Sequence, residues 1–349
     1  MPKSEETPCN VLVMRLSALG DVAMTIPVLY PVCRANPDTR FVMLTKKWPA
    51  TMFHDRPDNL MVVGIDTKDH KGLFGLMRLA GKLRREYDID AMADLHNVMR
   101  SRIIGFALKL RGIPVARLDK ERAQRKALTR HRSGEPVTST IDRYRAVFTR
   151  LGLSAPDDFT RLYDGKEVPS SPLVMDKQPG QRWIAVSPFS AHEGKAYPLE
   201  LMKQVVATLS SKENYRIFLM GGGKEEKIAL RKIARENKNV ISMAEIKHGF
   251  VDEYALLAKC DLMLTMDSAN MHLASLMGVK TVTIWGATAP ECGFQGYGQT
   301  ADCDIQLDMP CRPCSIYGER DCKFGDYRCL ARITPEQVVN QVLAVIEDE

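Results

Sequence analysis

Asp261-Leu-Met-Leu-Thr-Met-Asp267-Ser268-Ala-Asn-Met-His272-Leu-Ala-Ser-Leu-Met-Gly278 reads as an apolar strand running straight into Asp-Ser and then into a helix with a histidine one turn in. A parallel α/β sheet offers polar groups and helix N–H donors in this way at the carboxyl edge of a strand, where such sheets bind ligands. Taken alone, Asp267 or Ser268 could equally be a plain helix N-cap. The logic recurs upstream. Val11-Leu-Val-Met-Arg15-Leu-Ser17-Ala-Leu-Gly20-Asp21-Val-Ala-Met-Thr-Ile-Pro27 places an apolar strand, a small-residue turn and then Asp21 at a helix start. Two such turns so far apart in the chain suggest two sheets.

The 349 residues are 45% hydrophobic and 26% charged, the composition of an ordinary globular protein, and their length favours two domains. No uninterrupted apolar run approaches the roughly 20 residues of a membrane helix. The polar opening Met1-Pro-Lys-Ser-Glu-Glu-Thr-Pro8 lacks the charged-then-apolar layout of a signal peptide, so a cytoplasmic protein is expected. Nine cysteines then point to reduced thiols or metal ligation more than to a disulfide framework.

The net charge of +6 is unevenly placed. Lys109, Arg111, Arg117, Lys120, Arg122, Arg125, Lys126, Arg130 and Arg132 stand against only Asp119 and Glu121. Such a block could meet phosphates on a lipid, a sugar acceptor or a nucleic acid, or be a solvated face. With no aromatic interleaving and no nucleic-acid motif, no nucleic-acid partner is expected.

Short apolar strands alternate with amphipathic helical stretches. Phe41–Lys46 and Ile89–Leu95 follow the first strand, and Trp183–Ser187, Tyr215–Met220 and Thr281–Trp285 form a second set, which implies parallel sheets covered by helices. Between the sets, Glu167–Gly180 is rich in proline and small polar residues, as a linker is. The boundary is placed near residue 175. Near the end, Thr334-Pro335-Glu336-Gln337 predicts an N-cap, a first-turn proline and a capping-box glutamine opening a helix through Val338, Val339, Val342 and Ile346.

Two more turns fall at the carboxyl ends of predicted strands. Val186-Ser-Pro-Phe-Ser190-Ala-His192-Glu-Gly-Lys195-Ala-Tyr-Pro198 brings a lysine to a proline-started helix, a pairing that suits a pyrophosphate. Met220-Gly221-Gly222-Gly-Lys-Glu225 allows close backbone approach, as any tight turn does. Ser190, Lys195, Gly221, Asp267, Ser268 and His272 would thus share one rim of one sheet.

These residues resemble glycosyltransferase family 9, the ADP-heptose:lipopolysaccharide heptosyltransferases. The resemblance rests on Arg15-Leu-Ser-Ala-Leu-Gly-Asp21-Val, Asp94-Leu-His-Asn-Val-Met-Arg100-Ser, Lys195-Ala-Tyr-Pro, Gly221-Gly, Asp267-Ser-Ala-Asn-Met-His272-Leu-Ala, and Trp285-Gly-Ala-Thr-Ala-Pro290 followed by Gly296-Tyr-Gly298. It implies an α/β fold of the GT-B type, two Rossmann-like domains with parallel sheets facing a central cleft. Residues 1–175 would bind the acceptor and 176–333 the donor nucleotide sugar, with a helix in 334–349 packing back toward the N-terminal domain.

The resemblance also implies an inverting transfer of heptose from an ADP-heptose-type donor to a lipopolysaccharide inner-core acceptor. Asp21 matches the catalytic base, and Ser190, Lys195, Gly221, Gly222, Glu225, Asp267, Ser268, Ala269 and His272 the donor side. Ser17, Gly20, Asn97, Arg100 and Arg122 fall on the acceptor side. Such chemistry needs a base for the acceptor hydroxyl and positive charge or N–H donors for the departing diphosphate. No clustered carboxylate pair near the donor loops calls for a divalent metal in catalysis. The partners would be the nucleotide-sugar donor and a lipid-linked or phosphorylated glycan, with peripheral association at the inner face of the cytoplasmic membrane.

The sequence departs from the family at Tyr197, where a tryptophan is usual, and at Ala269-Asn270, where Gly-Pro or Gly-Leu is usual. Another nucleotide sugar, another glycan or protein acceptor, or a non-catalytic nucleotide-sugar-binding protein therefore stay open as alternatives. Cys311, Cys314, Cys322 and Cys329 have the count of a four-thiolate zinc site. Only the first pair has the usual gap, so a structural zinc stands beside reduced thiols or an air-formed disulfide.

Overall fold

A computed structural model of the chain describes residues 7–347. The leader reading, which rests mainly on residues 1–6, and the last two residues of the C-terminal segment lie outside the described residues. By internal contacts the chain forms two compact units, Met1–Lys120 with Thr138–Leu162, and Glu121–Val137 with Tyr163–Glu349. No helix among the described residues is long and apolar enough to cross a membrane.

In the first unit, strands β1 (Asn10–Met14), β2 (Arg40–Lys46), β3 (Leu60–Ile65), β4 (Ala91–Asp94) and β5 (Val115–Arg117) form an all-parallel sheet in the order 3-2-1-4-5. Its helices are α1 (Leu19–Ala23), α2 (Ile26–Ala35), α3 (Lys47–Ala50), α4 (Gly72–Tyr87), α5 (Met99–Lys109) and, after an excursion into the other unit, α7 (Thr140–Thr149). That excursion carries α6 (Arg122–Leu128).

The second sheet consists of β6 (Arg182–Val186), β7 (Tyr215–Leu219), β8 (Val240–Ser242), β9 (Leu262–Met266), β10 (Thr281–Ile284) and β11 (Asp304–Ile305), in the order 8-7-6-9-10-11. All its pairings are parallel. Helices α8 (Leu199–Ser210), α9 (Lys224–Glu236), α10 (Phe250–Leu257), α11 (Ala269–Leu276), α12 (Arg328–Ala331) and α13 (Pro335–Glu347) accompany it. Each order is that of a Rossmann-like doubly wound sheet, in which crossovers leave the central pair of strands in opposite directions. The switch points lie between β1 and β4 and between β6 and β9.

The strands expected from apolar runs are present because they are central and covered. Val11–Met14 and Leu262–Met266 are buried throughout. No sequence expectation covered β3, β5, β8 and β11. They lie outside the central pairs and all but β3 are short, with half-buried residues that blur the apolar signal. Thr334 and Gln337 form the expected capping box, the glutamine carbonyl accepting the Thr334 N–H at 2.8 Å and the threonine hydroxyl the Gln337 N–H at 3.2 Å.

Within its own unit α13 packs against α8, β9 and β10. Its Val338, Val339, Val342, Val345 and Ile346 join Ile184, Leu264 and Ile284 in one apolar core. The reason is the helical spacing of these side chains, which gives α13 one apolar stripe that this core covers. Fully burying an aliphatic side chain is worth about 1.5–3 kcal/mol. Val342→Ala should therefore lower unfolding free energy by about 1–3 kcal/mol in denaturant titration. Asn340→Ala on the exposed side of the same helix should change it by less than about 0.5 kcal/mol.

Candidate functional site

At the first switch point, β1 leads into a turn that delivers Asp21 to the first turn of α1. Its carboxylate accepts the Ala18 N–H at 3.0 Å and forms a close ion pair with Arg15. Asp21 thus does the capping work of a helix-start aspartate while a fifth of its side chain stays accessible. Arg15 is buried; one Nη donates to the Leu95 carbonyl at 2.9 Å, and its guanidinium lies 5.9 Å from the centre of the Tyr144 ring. The carboxylate is consequently held in position from two directions.

From β4, Asp94 accepts the N–H groups of His96 (3.1 Å) and Asn97 (2.8 Å). His96 Nδ1 faces the Leu16 N–H at 3.5 Å. Burial, reinforced by Arg15, pushes the His96 pKa down to about 3 against the opposing pull of Asp21. The imidazole is therefore neutral at working pH and is no proton store. Asn97 spends its side chain internally, donating to the Leu118 carbonyl at 2.7 Å and accepting from Arg102 at 2.8 Å. Arg100 is exposed on α5, while Ser17 and Gly20 are half-buried in the Asp21 turn.

The second switch point gathers the donor-side candidates. Lys195 Nζ lies 3.0 Å from Asp267 Oδ2, and both side chains are largely buried. Thr288 donates to the same oxygen at 2.9 Å. Ser190 reaches the Asp267 carbonyl at 3.4 Å, and Asn270 donates to Ser187 at 2.6 Å, tying the β6 and β9 turns together. Ser268 is the N-cap of α11, yet its hydroxyl meets Thr265 at 3.0 Å and makes no capping bond to the helix. Ala269 opens that helix and His272 is buried one turn along.

Backbone closeness shapes this cluster. At Gly318, whose φ of +78° favours glycine, a Cβ would stand 2.5 Å from Lys195 Cγ, so the lysine stem crosses bare main chain. Tyr197, the departure from the family pattern, is 2% exposed and donates to the Ile333 carbonyl at 2.8 Å. Its ring belongs to the apolar core of the second unit.

At the Gly221–Gly223 turn the engaged carboxylate is Glu226, which accepts the N–H groups of Gly222 (2.8 Å) and Gly223 (3.1 Å). Glu225 is exposed. The structure thus brings Ser190, Lys195, Asp267 and the start of α11 together, and the glycine turn is closed by its own helix.

The basic block is divided between the two units. Lys109 ends α5, Arg111 follows its C-cap, and Arg117 faces Asp94 at 3.9 Å. Arg122, exposed, rides on α6 in the second unit. Arg125 is buried there, bonded to the Tyr317 hydroxyl, with its guanidinium 5.4 Å from the ring centres of both Phe294 and Tyr317. The aromatic partners lie far away in the chain, so no local signal marked this clamp; Thr288, Arg15 and His96 stand inside quoted motifs but carried no assigned role.

All four cysteines of the Cys311–Cys329 segment are free thiols. They are near enough to feel one another. Burial and then Cys311 and Cys322 push the Cys314 thiol up, and burial, with its sulfur neighbours, pushes Cys329 up to about 11. At Cys322 desolvation is outweighed by the N–H groups of Phe324, Tyr327, Asp326 and Gly325, which lower the thiol. Among the described residues no three His, Cys, Asp or Glu side chains converge as metal ligands.

Comparison with known proteins bears on both units. The family model of glycosyltransferase family 9 (heptosyltransferase) matches residues 76–324. The lipopolysaccharide heptosyltransferase 1 of Pseudomonas aeruginosa is 25% identical, with 97% of this chain and 98% of that protein aligned. The crystal structure of a family 9 glycosyltransferase from Veillonella parvula superposes with a TM-score of 0.74 at 19% identity, covering 98% of each chain. The Escherichia coli heptosyltransferase WaaC with ADP-2-deoxy-2-fluoro heptose does so at 0.66 and 16% identity, covering 97% of this chain and all of that one. The fold is therefore the GT-B fold of these enzymes, and the chain belongs to glycosyltransferase family 9 and is a glycosyltransferase.

Proposed function

We propose that this enzyme transfers a heptose from an ADP-heptose-type donor to the inner core of lipopolysaccharide with inversion at the sugar carbon. The observation that carries the reading is the Lys195–Asp267–Thr288 cluster beside the start of α11, at the switch point of the second sheet. The names of the relatives, lipopolysaccharide heptosyltransferase 1 and the ADP-heptose-analogue complex, supply the sugar and acceptor. On this reading residues of the second unit bind donor and those of the first bind acceptor, with Arg122 as an acceptor contact carried on the second unit. The enzyme works in the cytoplasm as a peripheral protein on the inner face of the cytoplasmic membrane, where a lipid-borne acceptor is presented.

In the step itself, the acceptor hydroxyl gives its proton to Asp21 as its oxygen forms a bond to the anomeric carbon. The bond from that carbon to the diphosphate breaks, and ADP leaves with the electron pair. Lys195 and the first N–H groups of α11 meet the growing negative charge. The internal Asp267 carboxylate holds the lysine ready and gives it up to the diphosphate.

Asp21→Asn keeps an acceptor for the Ala18 N–H and removes the basicity. Turnover should fall roughly a hundredfold or more while ADP affinity by calorimetry is unchanged; near-parental turnover would remove Asp21 as the base. For Lys195→Ala, ADP should bind about ten- to a hundredfold more weakly and adenosine nearly as before, because charge-assisted contacts alone are lost. Equal ADP affinity in parent and variant would take Lys195 out of the donor site.

The count of four cysteines at Cys311, Cys314, Cys322 and Cys329 carries a second reading, a structural zinc separate from catalysis, which would need their side chains to draw together beyond the arrangement of the described residues, where no three converge as metal ligands. Metal analysis of freshly purified protein should then find about one zinc per chain, and chelation should lower the melting temperature. Metal-free protein whose melting temperature ignores added zinc would leave these residues as plain thiols.

A further inference from the structure

We propose that the outward side of α5 docks on an anionic lipid bilayer. The helix turns Ser101, Ile104, Gly105, Ala107 and Leu108 to the core of the first unit. A surface helix so arranged ordinarily carries polar residues on the opposite side. Here that side is apolar: Met99, Phe106 and the C-cap Leu110 are 73%, 56% and 64% exposed. At 3.6 residues per turn they fall on one line, together with the partly buried Ile103.

The borders of this line carry one sign of charge. Arg102 and Lys109 lie on one side and Arg100 on the other, all exposed, and no Asp or Glu occurs from Leu95 to Arg117. The neighbouring α4, packed beside α5, opens with Leu73 and Phe74, 52% and 85% exposed. An apolar stripe bordered by arginine and lysine is the layout of a helix lying in a membrane interface, where apolar side chains enter the acyl boundary and cations meet lipid phosphates.

A second copy of the chain fits this face less well. A two-fold interface would set the bordering cations against their own counterparts, with no carboxylate on the helix to answer them. A bilayer rich in anionic headgroups supplies the missing charge. The inference rests on the proposed reading of a lipid-borne acceptor only for its biological setting, because the docking surface is defined by α5 alone.

Flotation of the full chain with phosphatidylcholine vesicles, with and without phosphatidylglycerol, tests the proposal. The protein should float only with phosphatidylglycerol and be released by salt. Replacing Met99, Phe106 and Leu110 together by serine, on exposed positions where folding is preserved, should cut the bound fraction about tenfold. Lys109→Glu should weaken binding in the same direction.

ADP affinity should be unchanged in both variants, since these residues belong to the first unit and the proposed donor cluster to the second. A parent that binds vesicles without binding ADP would count against the proposed function and leave the docking face intact. A parent that fails to float with phosphatidylglycerol, or a triple variant that floats like the parent, would overturn the docking face. So would a lipid-free parent that sediments as a dimer while the triple variant sediments as a monomer, because a second copy would then cover α5.

Discussion

The reversal of strand order at the centre of each sheet is the constraint from which the site follows. Where β1 meets β4 and β6 meets β9, the outgoing connections leave toward opposite faces, and the strand ends between them stay uncovered. Asp21 follows β1, and Lys195 and Asp267 follow β6 and β9. The last four residues of β1 and β6 and all of β9 are buried, so these turns start from a rigid edge.

At each gap one carboxylate is held by one cation, with different consequences. Arg15 is itself tied to the Leu95 carbonyl and faces Tyr144, so it fixes Asp21. Lys195 has a flexible stem laid over Gly318 and a point charge set against Asp267. A largely buried ion pair is costly to desolvate, and leaving Asp267 unpaired there would cost more. The hydroxyl of Thr288 reduces that penalty and keeps Asp267 in place.

The stretch from Glu121 to Val137 shows how one side chain can assign a segment to a body. In sequence it lies between β5 and α7 of the first unit. Arg125 takes it to the second, where the faces of Phe294 and Tyr317 receive the guanidinium and Val137 N–H bonds the Glu291 carbonyl at 2.9 Å. Phe294 is buried while Tyr317 stays 44% exposed, so the two cation–π contacts lie between the exposed and desolvated limits of about 0.5 and 2 kcal/mol. The exposed basic residues of α6 are thereby displayed by the unit that carries Lys195.

Apolar runs ending in Asp-Ser or in Ser-x-x-Gly-Asp made the parallel sheets, their central strands and the position of Asp21, Lys195 and Asp267 legible from sequence alone. Those features are local: a buried strand needs consecutive apolar residues, and a strand-to-helix turn needs its small and acidic residues within a few positions. Thr334 to Gln337 announced the capping of α13 for the same reason. What that helix packs against was not local. Neither was the partner of Arg125, nor the core position of Tyr197. Each depends on which surface is already filled by residues distant in the chain. On α5 apolar residues fall on both the core-facing and the outward side, and only the packed first sheet distinguishes those that make its core from those left facing outward.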